Sequence, residues 1–161
     1  MTVVHETGIG PLYLDASDDG LTLVGFTEPA VSSGAGPSGA GSRAVLDLAR
    51  REIDAYLAGT LRAFTVPVDL TGLPAAHRRV LHGLDDVGWG ATITYGDLAR
   101  RVGLPVTDSR RVGGAMARNP VAVVVPCHRV VGADGSLTGY AGGLAVKRTL
   151  LDLEAADAML F

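Results

Sequence analysis

The rhythm of apolar and polar positions changes near residue 70. Ahead of it, apolar clusters are short and separated by turn residues. Residues 2–5, 11–15 ("PLYLD") and 21–27 ("LTLVGFT") carry β-rich runs, with "TGIG" and "SDDG" between them. Gly and Asp-Gly turns between such runs predict short antiparallel strands. "TEPAVSSGAGPSGAGS" then reads as a surface loop, with residues 32–42 rich in Gly and Ser. Gly34, Gly36 and Gly39 match G-x-G-x-x-G, but Pro37 interrupts them and no lysine completes a phosphate loop. Ser42 is a candidate N-cap for a helix from Arg43 to Ala58. Its apolar stripe is Val45, Ala49, Ile53, Tyr56 and Leu57, and Gly59 stops it. "LRAFTVPVDL" (61–70) predicts a further strand, and "TGLP" (71–74) a boundary between domains at 1–70 and 71–161.

Beyond the boundary, helical spacing dominates. "PAAHRRVLHGLDDV" carries Val80, Leu81 and Leu84 on one helix, and "ITYGDLARRVGL" starts a second near Thr94 or Tyr95. "PVTDSRRVGGAMARN" follows a Gly-Leu-Pro turn. Two short helices joined by a glycine-containing turn are a helix-turn-helix candidate. Arg110 and Arg111 fall toward the N-terminus of the second helix, where such helices contact nucleic acid. Gly113, Gly114 and Ala115 give that helix a small-residue face suited to close approach by backbone or DNA. Asn119-Pro120 ends it, and Val121–Val125 predicts a buried strand or extended segment. After a glycine-rich stretch, Leu144, Val146, Leu150, Leu151 and Leu153 predict a final helix. The expected fold is α+β. It has a small N-terminal antiparallel sheet with one helix, and a mostly helical, winged-helix-like C-terminal domain.

The chain has 161 residues, 47% of them hydrophobic, with a net charge of −3. That suits one domain, or two small ones, and announces no nucleic-acid partner. The charge is uneven, however. Between His77 and Arg129 stand Arg78, Arg79, Arg100, Arg101, Arg110, Arg111, Arg118 and Arg129 against Asp85, Asp86, Asp97 and Asp108. Solvated helix faces are the ordinary explanation. The functional one is a DNA-facing surface hidden by an acidic average. "MTVVHETGIGPLYLD" lacks the features of a signal peptide, and no apolar run is long enough to span a bilayer.

The single cysteine excludes an internal disulfide and a thiolate-rich metal site, and fits a cytoplasmic location. Cys127 lies in "VAVVVPCHRVVG". Pro126 breaks the run before it, and His128 and Arg129 follow. A buried free cysteine usually packs as a small hydrophobe. Here the turn and the two basic neighbours predict a lowered thiol pKa and a reactive thiolate. His128 can serve as base, and Glu154 in the last helix as the carboxylate that orients it.

"NPVAVVVPCHRVVG" followed by "GYAGGLAVKRTLLDLE" resembles the active-site region of the O6-alkylguanine-DNA alkyltransferases, the methylated-DNA–protein-cysteine methyltransferases. "TYGDLA", "RRVGGAMARNP" and "GGLAVK" follow the same order. The likeness is strongest over residues 70–156. It implies single-turnover transfer of an alkyl group from O6-alkylguanine, and from O4-alkylthymine, in double-stranded DNA to Cys127. His128, acting through a water, and Glu154 would activate the thiol. Tyr95 would bond the guanine and help protonate it as it leaves. Arg110 would enter from the minor groove and fill the space of the flipped base. Asn119 would be a hinge, and Val130, Tyr140 and the Ala141 N–H would form the guanine pocket. Tyr95, Arg110, Arg111, Gly113, Ala115, Asn119 and Arg129 are the expected DNA contacts. The chain is expected to act as a monomer with no cofactor and no metal. The zinc site of some members needs N-terminal cysteines that are absent here, and His5 reads as an ordinary strand residue. The turn before Arg110 is one residue longer than usual, so Arg111 remains its rival. A lesion-binding protein without activity would lack Cys127. A cysteine hydrolase would turn over, and a helix-turn-helix regulator would bind a DNA sequence rather than a lesion.

Overall fold

The computed structural model describes residues 2–30 and 39–156. Of the glycine-rich loop, only 39–42 fall within them, and Gly34 and Gly36 lie outside. The fold is α+β, in two compact units: Met1–Gly72 with Pro120–Val124, and Leu73–Asn119 with Val125–Phe161.

In the first unit, β1 (Val3–Thr7), β2 (Gly10–Ala16) and β3 (Leu21–Gly25) form an antiparallel sheet in the order β1-β2-β3. Alternation along β2 buries Leu12 and Leu14 on one face. The helix α1 (Ala40–Leu57) packs on β2 and β3, burying Val45, Leu46, Ala49, Ile53 and Tyr56. It begins earlier than the sequence suggests. Its N-cap is Gly39 and not Ser42, which is buried within the first turn and donates to the Gly39 carbonyl at 3.1 Å. The capping oxygen comes from the β2–β3 turn, where Asp18 Oδ1 accepts the Ser42 N–H at 2.8 Å. A Cβ at Gly39 or Gly41 would collide with this carboxylate. The negative charge also complements the positive end of the helix dipole. Gly59, at φ +78°, closes α1 as expected: its N–H bonds to Tyr56, and that of Thr60 to Ala55.

The strand expected at 61–70 does not form, and 121–125, expected as a buried strand or extended segment, keeps only a bridge at its start. In 61–70, Glu52 on α1 accepts the N–H groups of Thr65 and Val66 at 2.9–3.1 Å, and Pro67 has none to give. What remains is a bridge from Leu21 to Val68, with Leu21 N–H on Pro67 O and Asp69 N–H on Leu21 O, both at 2.8 Å. Along 121–125, Val121 makes one parallel bridge to Val24. The chain then turns tightly, with Val124 N–H on Ala122 O at 2.8 Å and Val123 at φ +70°. Val123 is the one non-glycine at positive φ among the described residues, a strained setting for a β-branched side chain.

The second unit holds α2 (Ala75–His82), β4 (Ile93–Thr94), α3 (Tyr95–Arg101), α4 (Ser109–Ala117), β5 (Val130–Val131) and α5 (Leu144–Ala156). The helix α2 stops at His82, short of the predicted Val87. Thr94 Oγ1 caps α3 by accepting the Asp97 N–H at 3.1 Å. Gly103 at φ +79° ends that helix, with Leu104 N–H on Ala99 O and Gly103 N–H on Arg100 O. A 3-10 turn over Val106–Asp108 precedes α4, so the helix begins at Ser109 rather than directly after the Gly-Leu-Pro turn. The strands β4 and β5 pair in parallel, with Ile93 opposite Val130 and Thr94 opposite Val131.

Asp18→Ala is expected to destabilise the protein by about 1 kcal/mol in denaturant unfolding, the usual cost of losing a cap. Ser42→Ala should cost less than half as much. The reverse order would make Ser42 the cap after all.

Candidate active site

Pro126 sits at φ −82°, ψ 60°, and Cys127 N–H bonds to Val125 O at 2.8 Å. This inverse γ-turn halts the extended chain and leads into a 3-10 turn, Cys127–Arg129. The Cys127 residue is only 5% exposed. It lines a cavity of about 730 Å³ with Tyr95, Arg110, Gly113, Tyr140 and Ala141. Thr138 Oγ1 donates to the Tyr95 hydroxyl at 2.6 Å within the same cavity.

The thiol's electrostatics differ from the expectation. Burial pushes the Cys127 pKa up from its ordinary value, opposed by a hydrogen bond from the Asn119 side chain and by the charge of Lys147. His128 and Arg129 are occupied elsewhere. His128 Nε2 lies 2.9 Å from Glu154 Oε1 in the core. Burial holds the imidazole below its usual 6.5, with Glu154 pulling the other way. A carboxylate oxygen accepts, so Nε2 carries a proton, and in the neutral imidazole Nδ1 is then the basic nitrogen. The Arg129 guanidinium is also buried. Its Nη2 and Nε meet Glu154 at 2.7–3.1 Å, and its Nη1 donates to Val87 O at 2.5 Å. The guanidinium is thus bonded within the core, which does not fit the expected DNA contact.

Other expected residues are also displaced. Ala115 is 1% exposed on the inner side of α4, so it offers DNA no surface. Val130 is fully buried in β5 and does not line the cavity; its carbonyl accepts Lys147 Nζ at 2.7 Å. Asn119 Nδ2 donates to Val125 O at 3.0 Å, spanning the residues on either side of Pro120–Val124. Arg110 and Arg111 are both exposed, but only Arg110 borders the thiol cavity.

Lys147 has a role that the pattern of the sequence did not suggest. It is 1% exposed, and its Nζ also donates to Thr138 O at 3.1 Å. Burial lowers its pKa while Cys127 raises it. A signal was available: Lys147, Leu150 and Glu154 are the buried positions of α5, spaced i, i+3, i+7 as a core stripe is. Leu144, by contrast, is 49% exposed.

Comparison with known proteins extends these findings. The family described as 6-O-methylguanine DNA methyltransferase, DNA binding domain, matches residues 75–156. The ribonuclease-like domain of the same description matches residues 3–70. A methylated-DNA–protein-cysteine methyltransferase of Methanosarcina acetivorans is 39% identical, over 95% of this chain and 97% of its own length. Its counterpart from Mycobacterium leprae is 42% identical, over 92% and 88%. Among solved structures, Mycobacterium tuberculosis OGT in complex with DNA is 38% identical. It superposes with a TM-score of 0.84, covering 95% of this chain and 91% of that one.

Lys147→Met keeps most of the apolar stem and removes the charge that favours the thiolate. The midpoint for alkylation of Cys127 by iodoacetamide against pH is expected to move upward. An unmoved midpoint in a folded variant would take Lys147 out of the thiol's electrostatics.

Proposed function

The chain belongs to the 6-O-methylguanine DNA methyltransferase family, and we propose that it repairs DNA by drawing the alkyl group from O6-alkylguanine onto its own Cys127. One observation carries the assignment to that residue: the chain's single thiol lines a cavity that tyrosines share, bordered by the exposed Arg110 of α4. O4-alkylthymine presents a similar alkoxy carbon and is the second substrate.

The Cys127 proton passes through a water to His128 Nδ1, and Glu154 steadies the imidazolium that results. The thiolate attacks the alkyl carbon, forming S–C as C–O6 breaks, and the bonding pair stays on the guanine. Tyr95 then delivers a proton to the departing base and recovers one from the relay. A thiol and an alkylated guanine become a thioether and guanine. A thioether is no leaving group, and no second cysteine exists to relieve it, so each molecule acts once. A base inside a duplex must leave the stack before a buried thiol can reach it. Arg110, at the N-terminal turn of α4, would enter from the minor groove and fill the gap. Asn119 positions Cys127, while Tyr140 and Ala141 line the guanine pocket. Arg129 and Val130 support this site from within the core. A single copy holds every group the reaction uses, so the monomer is the working form. No helix among the described residues is long and apolar enough to cross a membrane, and a reduced thiol fits the cytoplasm.

After mixing with O6-methylguanine duplex, intact-protein mass spectrometry should find one methyl per chain, on the peptide containing Cys127. Cys127→Ser should bind DNA and take up none. Methyl on another residue, or continued turnover with released product, would overturn the proposal.

Arg110→Ala is expected to slow transfer from duplex by roughly tenfold or more, since the inserted side chain offsets part of a flipping cost of a few kcal/mol. Reaction with free O6-methylguanine should stay within about twofold. Equal losses on both would give Arg110 a structural role. A selective loss in Arg111→Ala alone would move the role along by one residue.

A further inference from the structure

A second concavity, of about 500 Å³, lies beside α4. His77 and Arg79 of α2 line it, with Leu104 after α3 and Arg111, Gly114 and Arg118 of α4. Arg110 borders both this groove and the thiol cavity. Successive helix residues rotate by about 100°. Gly113, Met116 and Ala117 therefore face one way, Arg111, Gly114 and Arg118 another, and Arg110 rides the ridge between them. Four arginines and a histidine meet in the groove, and no Asp or Glu among the described residues lines it. Asp108, which does not line it, lies 3.7 Å from Arg111.

Two of these groups are held in place by their neighbours. A Cβ at Gly103 would come within 2.8 Å of Arg79 Nη2, so the bare glycine that ends α3 is where that guanidinium rests. Arg118 Nη1 lies 3.5 Å from His77 Nε2 across the groove. Like charges that outnumber the one nearby carboxylate repel one another, and a bound anion relieves that repulsion.

We propose that this groove seats backbone phosphates of the DNA, gripping one strand while the thiol cavity on the other side of Arg110 takes the base. This rests on the reading that DNA docks on α4. Arg111 and Arg118 are seven residues apart, about 10 Å along the axis, so the groove is long enough to meet more than one phosphate of a strand. His77, Arg79 and Arg118 then fix the register of the duplex and leave the chemistry alone.

The test is binding of a lesion-free duplex across a salt series, which does not depend on alkyl transfer. Arg79→Gln/Arg118→Gln should flatten the slope of log K against log salt by about 2, near 0.9 for each phosphate no longer neutralised. Its rate with free O6-methylguanine should be unchanged. Arg100→Gln/Arg148→Gln removes the same charge outside the groove and should shift the slope by less than half as much. Arg79→Lys/Arg118→Lys keeps the charge and should restore the slope. Single methylphosphonates placed along the duplex should weaken wild type over a contiguous block of two or three positions, and leave the glutamine variant indifferent there. An unchanged slope, an equal effect in the control, or identical methylphosphonate maps would overturn the proposal. Weakened self-association with intact DNA binding would overturn it too, by assigning the groove to an acidic face of a second copy.

Discussion

A carboxylate in the core is tolerable only if its charge is met on every side, and Glu154 organises the second unit around that demand. The Arg129 fork takes one part of it and the His128 imidazole another. Arg129 in turn reaches the Val87 carbonyl beyond α2. One buried anion thus joins the last helix, the turn that carries Cys127, and the chain leaving α2. Such a cluster adds little net stability, because desolvation opposes attraction, but losing one partner typically costs about 3–5 kcal/mol. Its effect is to fix geometry: the imidazole that follows Cys127 has one orientation and one tautomer.

The thiol faces the opposite difficulty. Depth shields it from solvent and from casual oxidants, and the same depth disfavours its reactive charged form. The fold answers with groups that favour the anion locally, the Asn119 amide and the Lys147 charge. Lys147 bears a like penalty, eased by two backbone carbonyls and by the thiol itself. Neither charge is comfortable alone at this depth, and each stabilises the other. Ionisation of Cys127 is therefore coupled to its surroundings, and the adjacent basic residues in the sequence contribute less than their position suggests.

Much of this was legible in the sequence because the signals were local. The start of α3 near Thr94, Gly59 as a stop, the α1 stripe and the Pro-Cys-His-Arg turn depend on near neighbours alone. The misreadings arose where a distant group decided the outcome. Asp18, from another turn, took over the capping that Ser42 was expected to do. Glu52 claimed the N–H groups that a strand at 61–70 would have paired. Arg129 had the composition of a DNA contact until Glu154, twenty-five residues on, turned it inward. Lys147 was hidden because a charged residue on an apolar stripe reads as a flaw in the stripe, when it marks a buried charge with a partner.

The short passage from Pro120 to Val124 has a consequence for how such a chain can change over generations. It sits between Asn119 and Val125, yet its hydrogen bonds run to Val24 in β3. A cut near residue 72 would divide the gene into two tidy lengths, but not the fold, because five residues from the later length complete the earlier one. Recombination that exchanged the first seventy residues for those of a relative would also have to match Val24 to a new Pro120 and Ala122. The two lengths are thus bound to a common inheritance, and this stretch of backbone is where a mismatched pairing would first be felt.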